Sequence, residues 1–567
     1  MSCLIVLGLL AACSDKPEVA EPSGPDLILL NGAIYTMDQA QPWAEALAVK
    51  DGVITAVGAT DSVRTLAASS SEVIDLEGQF VMPGINDGHS HPAWGGVVAL
   101  YYCYFDATAS ADEVAAKIAS CVTETDETWI QGGLWTPNFF EQYDIRSPRR
   151  WLDRYSGGKA IALKDDSGHN YWFNSRALEL LDIDELTEPP AGAVFEKTTE
   201  GELNGVVNEA FALINGKLPR WTVEHYREGV RYAVANANSY GVTGFKDASS
   251  SETETSAYYE LDQAGELTVN VATCLYDARA AYTEDSVAAL EALRDSYASA
   301  HVHTGFVKIF LDGVPTIART AAMIDPYQAQ PGDTSPVLGP THLDEQALID
   351  AMVLLDARGF TVKIHTAGDR SVKMALNAID ATRRSNGQSG LRHELAHAGF
   401  IAEEDIPRFR ALNAVADLSP YIWFPSPIID SVRKALGERG AKYWPNRDLV
   451  DAGAPLLAGS DWPSVTKDLN PWVGMEALIT RQDPEHQYQG AGWQDQALTI
   501  EEVLTIYTLD GAASLGLSET TGSLAVGKAA DFILLNHNLL EIPPGEISDT
   551  RVQKTWFEGK AVYENRH

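Results

Sequence analysis

Two kinds of alternation divide this chain. From residue 26 to 80, short apolar runs are broken by turn residues: Leu27-Ile28-Leu29-Leu30, then Asn31-Gly32, then Ala33-Ile34-Tyr35-Thr36. Ala46–Val49 and Val53–Val57 flank Asp51-Gly52, a dipeptide that suits the positive φ angles of a two-residue hairpin. The C-terminal end reads the same way, with runs at Ala530–Leu535 and Val552–Val562 and a Glu558-Gly559 turn. The two flanks predict one small β-sandwich domain assembled from residues 26–79 and 520–567. Between them the pattern changes. Strand-like runs at Phe80–Asn86, Val242–Asp247, Leu267–Tyr276, Gly305–Leu311, Phe360–His365, His393–Ala398, Ala414–Leu418 and Pro455–Ser460 alternate with helical periods such as Glu224–Tyr240, Leu343–Arg358 and Val372–Ser385. Such alternation predicts an α/β protein, a closed (β/α)₈ TIM barrel over residues 80–519. The first two runs are too far apart for one crossover. Residues from about 100 to 220 are therefore expected to form an insertion, with Trp129–Trp135 and Lys159–Lys164 as extra strands.

The N-terminus adds a compartment. Leu4–Ala12 is apolar but too short to span a bilayer, and it ends in Leu10-Ala11-Ala12-Cys13. Small residues before a Cys resemble the lipobox of bacterial lipoproteins, although no Lys or Arg precedes the run. Residues 1–12 are then a signal peptide, Cys13 the acylated membrane attachment, and residues 13–25 a flexible tether. The expected location is the cell envelope, on the periplasmic side, with Ser14 pointing to the outer membrane. Export makes a Cys103–Cys121 disulfide permissible; two buried thiols are the alternative.

Charge excludes a class of partner. With 79 Asp and Glu against 42 Lys and Arg, the net charge of -37 leaves no basic surface for nucleic acid. An acidic, soluble exterior is the simpler reading. The partner implied by the rest of the chain is a small-molecule substrate; oligomeric state has no sequence signature here.

The chemistry sits at the ends of the predicted strands. His89-Ser90-His91, Lys308, His365, His397 and Asp461 each close or follow an apolar run. In a barrel of this kind strand C-termini build the active site. His89 and His91, two apart in an extended segment, point the same way and can serve one ion. His365 and His397 can supply a second, and Asp461 adds a carboxylate. Lys308 cannot ligate as an ammonium; alone it would be read as a salt bridge, with Asp312 as partner.

The stretches Met82-Pro83-Gly84-Ile85-Asn86-Asp87-Gly88-His89-Ser90-His91, Lys308-Ile309-Phe310-Leu311-Asp312-Gly313 with Arg319-Thr320-Ala321, His365-Thr366-Ala367-Gly368-Asp369-Arg370, and Gly459-Ser460-Asp461-Trp462-Pro463 resemble the amidohydrolase superfamily. Within it they resemble amidohydrolase family 3, the group that includes N-substituted formamide deformylases. Asp166–Ser175 also matches a signature of that group. The resemblance implies His89, His91, His365 and His397 as metal ligands, Lys308 as a carbamylated bridge made with carbon dioxide, and Asp461 as ligand and acid/base. The implied reaction is hydrolysis of a non-peptide C–N bond by water activated on one or two divalent ions, most plausibly zinc. An esterase or lactonase on the same site, or a non-catalytic metal- or ligand-binding lipoprotein, are the alternatives. One residue departs from the family pattern: Ala396 stands where an acidic residue usually precedes the fourth histidine. Glu394 is expected on the strand face opposite His397 and so cannot replace it.

Among the other histidines, His301, His303 and His393 precede or open strands and are expected at the surface of the barrel's bottom. His169 is expected on a substrate-facing loop. Arg319, Tyr421, Trp423 and Trp462 are further pocket candidates.

Overall fold

The computed structural model describes residues 24–566 except 106–108, 137–138, 166–169, 191–192, 209, 211–212, 215–216, 277–281 and 331–332. Cys13 and His169 lie outside the described residues. Eight parallel strands form the centre: Ile85–Ser90 (β1), Val242–Ser250 (β2), Asn270–Tyr276 (β3), Val302–Phe310 (β4), Thr361–Thr366 (β5), Glu394–His397 (β6), Val415–Asp417 (β7) and Leu456–Leu457 (β8). Each pairs with the next in chain order. The Gly88 N–H donates to Ala458 O at 2.9 Å and the Asp461 N–H to His89 O at 2.7 Å, which brings β8 back against β1. Gly459 permits this closure, because an added Cβ would lie 2.3 Å from the His89 nitrogen. Strands buried on both faces explain the near-continuous Val, Ile and Leu runs of the sequence.

The first barrel strand starts later than the apolar pattern indicates. Phe80–Pro83 belongs to another sheet, pairing in parallel with Ala33 and Ile34 and antiparallel with Phe532–Leu535. The run from Phe80 to Ile85 carries no polar side chain, so hydrophobicity cannot show that the chain changes sheet near Gly84. Phe80–Pro83 sits inside a six-stranded sheet whose other members are 33–35, 43–44, 532–535, 552–557 and 560–564. A four-stranded sheet of residues 27–30, 46–50, 53–58 and 72–75 lies against it. Leu27, Leu29, Leu47 and Val49 from one sheet share a core with Ile34, Val81, Phe532 and Trp556 from the other. Both chain ends thus build one domain, separate from the barrel's sheet.

The segment between β1 and β2 carries its own six-stranded sheet, including Trp129–Trp135 and Ala160–Asp165, with an apolar cluster on each face. Cys103 and Cys121 form a disulfide that ties its edge strand Cys103–Tyr104 to the helix Ala111–Glu124. The insertion leaves and rejoins the barrel through helices Pro92–Tyr101 and Val223–Ser239. These cross so closely that a Cβ on Gly96 would stand 1.8 Å from the Gly229 oxygen. No helix among the described residues is long and apolar enough to cross a membrane.

Candidate metal centre

β1 delivers Asp87 and His89 inward by simple alternation, and His91 follows directly after it, at the cap of the helix Pro92–Tyr101. Asp87 accepts from the backbone N–H groups of His89 (3.0 Å) and Ser460 (3.1 Å), fixing the start of the site to the loop after β8. His89 gives its Nδ1 to the Asp417 carboxylate at the end of β7. Its Nε2 is buried, has no hydrogen-bond partner among the described residues, and lies 3.7 Å from Asp461 Oδ1. His91 Nε2 is 3.3 Å from the same oxygen, and its Nδ1 is 4.0 Å from Asp247 Oδ1. One donor atom from each of His89, His91 and Asp461 thus lies within 4.8 Å of the others. Asp461 has φ 55°, a left-handed turn that swings its carboxylate over the barrel mouth.

The remaining candidates come from β4, β5 and β6. Lys308 is buried near the end of β4, and its ammonium lies 4.9 Å from the Phe310 ring rather than on Asp312. Asp312 instead accepts from His365 Nδ1 at 3.0 Å and from the backbone of Ala322, Ala367 and Gly368. His397 Nδ1 meets Ser419 Oγ at 3.0 Å. The rings converge: His397 lies 4.8 Å from His89 and 4.7 Å from His365, centroid to centroid. All six residues singled out by strand position therefore line one cavity.

Electrostatics favour neutral donors here. Burial, and then the Lys363 and Lys308 charges, depress His89 well below the usual imidazole range. Burial and then His365 push His397 down to about 3. Neutral imidazoles keep the lone pair that a metal requires. Burial and the nearby Lys363 charge bring Lys308 down to about 8. Burial pushes Asp461 up, but the hydrogen bond from His91 and the neighbouring imidazoles outweigh it and hold the carboxyl low.

Comparison with known proteins decides the family. The sequence model of the amidohydrolase family matches residues 72–563. The chain belongs to that family. This amidohydrolase is 28% identical to the N-substituted formamide deformylase of Arthrobacter pascens over 95% of this chain and 98% of that one. It is 27% identical to the protein LONG AFTER FAR-RED 3 of Arabidopsis thaliana, over 97% of this chain and 94% of that one. A metal-dependent hydrolase of uncharacterised function from Pyrococcus horikoshii has the same fold, with TM-score 0.74 at 23% identity over 92% of this chain and 99% of its own. Membership of an amidohydrolase family makes the protein a hydrolase.

Several supporting groups of the amidohydrolase escaped sequence reasoning. Asp417, Asp247 and Ser419 each stand against the imidazole of a candidate ligand, where an orienting partner of a metal-binding histidine would stand. A polar residue closing an apolar strand, as in Ala416-Asp417, was the available signal. Below the site, Lys363 Nζ reaches Glu394 at 2.9 Å and Asp417 at 3.3 Å, and Lys246 also pairs with Glu394. Glu394 therefore points into the barrel interior, as His397 does. The expectation of opposite faces fails because His397 has φ 71° and Ala398 φ 40°, which breaks the alternation at the strand end.

Other expectations are also corrected. His393 is fully buried, with Nε2 3.0 Å from Asp356 and Nδ1 accepting from the Val362 N–H. His301 is pinned between Asp262 and Glu558 against the terminal domain rather than standing free, and the His303 Nε2 is buried.

The cavity above the candidate ligands has a volume of about 390 Å³ and a largely apolar wall formed by Val314, Ile422, Ile429, Val432 and Trp444. Tyr421, Trp423 and Trp462 are not among its lining residues. Tyr421 gives its hydroxyl to Asn470 O, and the Trp423 Nε1–H donates to Leu418 O at 2.7 Å. Trp462 packs where Gly95 leaves room. Arg319 is likewise engaged elsewhere, in a two-pronged pair with Asp333 at 2.6 and 2.9 Å.

Proposed function

We propose that this amidohydrolase cleaves a non-peptide carbon–nitrogen bond, in an amide, formamide or cyclic amide, with water. The observation that carries the reading is the buried, partnerless Nε2 of His89 facing His91 and Asp461. A buried polar atom left without a partner is costly, and a divalent cation is the group that these two imidazoles and a carboxylate would satisfy together. The nitrogen-rich donor set suits zinc. His89, His91, His365, His397 and Asp461 would hold one or two ions. Lys308 would join them as a carbamate, its neutral amine adding to the carbon of carbon dioxide and losing a proton to become a carboxylate. Depression of the amine to about 8 supports that step by raising the neutral fraction.

Held by these residues, a divalent ion would supply Lewis acidity, making water nucleophilic near neutral pH and polarising the scissile carbonyl. The chain's own residues do the rest. Asp461 accepts a proton from the attacking water and returns it to the departing nitrogen. Asp417 and Asp312 hold His89 and His365 in one orientation through Nδ1. The apolar wall seats the carbon part of the substrate and limits water. The name of the Arthrobacter relative adds support for a C–N bond as the target.

The test is a chromogenic panel of amides, formamides and esters assayed with protein whose metal content has been measured. Metal at one to two equivalents, C–N cleavage, and its loss in Asp461→Asn are expected. Cleavage of esters alone would replace the assignment, and a chain that binds no metal would end it. We also propose that acylated Cys13 anchors the enzyme to the cell envelope. Incorporation of labelled palmitate, abolished by Cys13→Ser, is the expected result.

A further inference from the structure

The wall of the cavity and one of the candidate ligands share a residue that neither strand position nor periodicity brings forward. Trp444 lines the cavity with its indole, and the same indole donates from Nε1 to the His397 carbonyl at 2.6 Å. The ring also lies where Gly399 leaves space, with an added Cβ there 3.0 Å from it. The Trp444 N–H donates to Gly399 O at 2.7 Å. His397 needs such a partner. Regular alternation along β6 would send its imidazole out of the barrel, and only the left-handed backbone at His397 and Ala398 turns it inward. That turn carries the His397 carbonyl toward Trp444. Left-handed conformations at residues with a Cβ persist only when their surroundings hold them.

Trp444 is itself held in a left-handed conformation, with φ 48°. Its carbonyl accepts from Arg481 Nη1 at 3.2 Å, while Nη2 donates to Tyr443 O at 3.2 Å and Nε to Gly492 O at 2.7 Å. The guanidinium is fully buried over the Trp423 ring, 3.9 Å from its centroid. Among the described residues no carboxylate pairs with it. Burying a cation without a counter-charge is expensive. Here the cation meets main-chain carbonyls and an indole face, and its hydrogen bonds fix the Tyr443-Trp444 turn.

We propose that Trp444 couples the substrate cavity to His397, with Arg481 as its buried support, so that the wall against which substrate packs also sets the position of a metal ligand. This inference rests on the metal-centre reading above. Trp444 and Arg481 are positioning residues: neither is a ligand, and each acts through His397.

Zinc affinity tests it without any substrate. Dissociation constants are measured on the full chain by competition with a chromophoric chelator, with a melting temperature for each variant. Trp444→Phe, which keeps an aromatic wall and removes the donor, is expected to weaken zinc binding at least tenfold. Arg481→Met is expected to do the same, with Arg481→Lys between it and wild type. Trp472→Phe changes an equally buried indole outside the cavity and serves as the control for a general loss of packing. Unchanged affinity in Trp444→Phe would overturn the coupling, and so would an equal loss in Trp472→Phe. Wild-type protein that binds no zinc would overturn the metal-centre reading itself, and the coupling with it.

Discussion

The barrel carries the same His-x-His spacing at both of its ends, and the two pairs have opposite fates. At the C-terminal end, His89 has one nitrogen on Asp417 and the other buried without a hydrogen-bond partner among the described residues, and burial, then the Lys363 and Lys308 charges, depress its basicity. At the N-terminal end, His301 has Nδ1 2.6 Å from Asp262 and Nε2 3.3 Å from Glu558. Glu558 and Asp262 push its pKa up to about 9 against burial. At His301 each nitrogen has a carboxylate of its own, and the ring is a structural clamp; at His89 and His91 the carboxylate facing Nε2 is the Asp461 that the two rings share, itself a candidate ligand. Spacing therefore identifies candidates, and whether two rings converge on one shared carboxylate selects among them.

The comparison can be broken most severely at Asp461. Asp461→Asn should lower turnover by about a thousandfold, because the proton shuttle is lost; steady-state rates on the best substrate of the panel measure it, and full activity would exclude Asp461 as the shuttle. A smaller effect is expected one residue further out. Asp417→Asn keeps the shape of the His89 partner while removing its charge, and zinc affinity should fall by roughly 10- to 100-fold. Chelator competition gives the number.

The bottom of the barrel offers the smallest effect, and one of a different kind. Glu558 and Asp262 raise His301 from an ordinary 6.5 to about 9, so its contribution is complete below pH 6.5 and disappears as pH rises through 9. Glu558 is about half exposed, so screening limits the contribution to about 1 kcal/mol. Thermal melting between pH 6 and 10 should show a loss of that order, and His301→Gln should flatten it. An unchanged slope in His301→Gln would show that the clamp holds no charge.

The strand-end candidates were legible because alternation and chain order are properties of sequence: a His, Lys or Asp closing an apolar run in an α/β chain lands at one rim of the barrel. What lay hidden depends on single backbone angles and on contacts between distant segments. The inward turn of His397 rests on φ 71°, which no neighbouring glycine advertises. The sheet change after Phe80–Pro83 occurs inside an unbroken apolar run. Tyr421, Trp423 and Trp462 follow strand ends as true site residues do, yet each is consumed by packing and main-chain partners. Trp444 lies in the irregular segment before the helix Asn446–Asp451, where no period marks it.

Phe80–Pro83 also dictates when this protein can be finished. Its neighbours on either side are Ala33–Ile34 and Phe532–Leu535, one made near the start of synthesis and the other near the end. Until the last tenth of the chain emerges, this strand keeps one open hydrogen-bonding edge, and nascent chains expose it. A truncation shortly before Phe532 would leave the catalytic barrel complete in sequence but unlatched, a species suited to capture by chaperones and prone to edge-to-edge association.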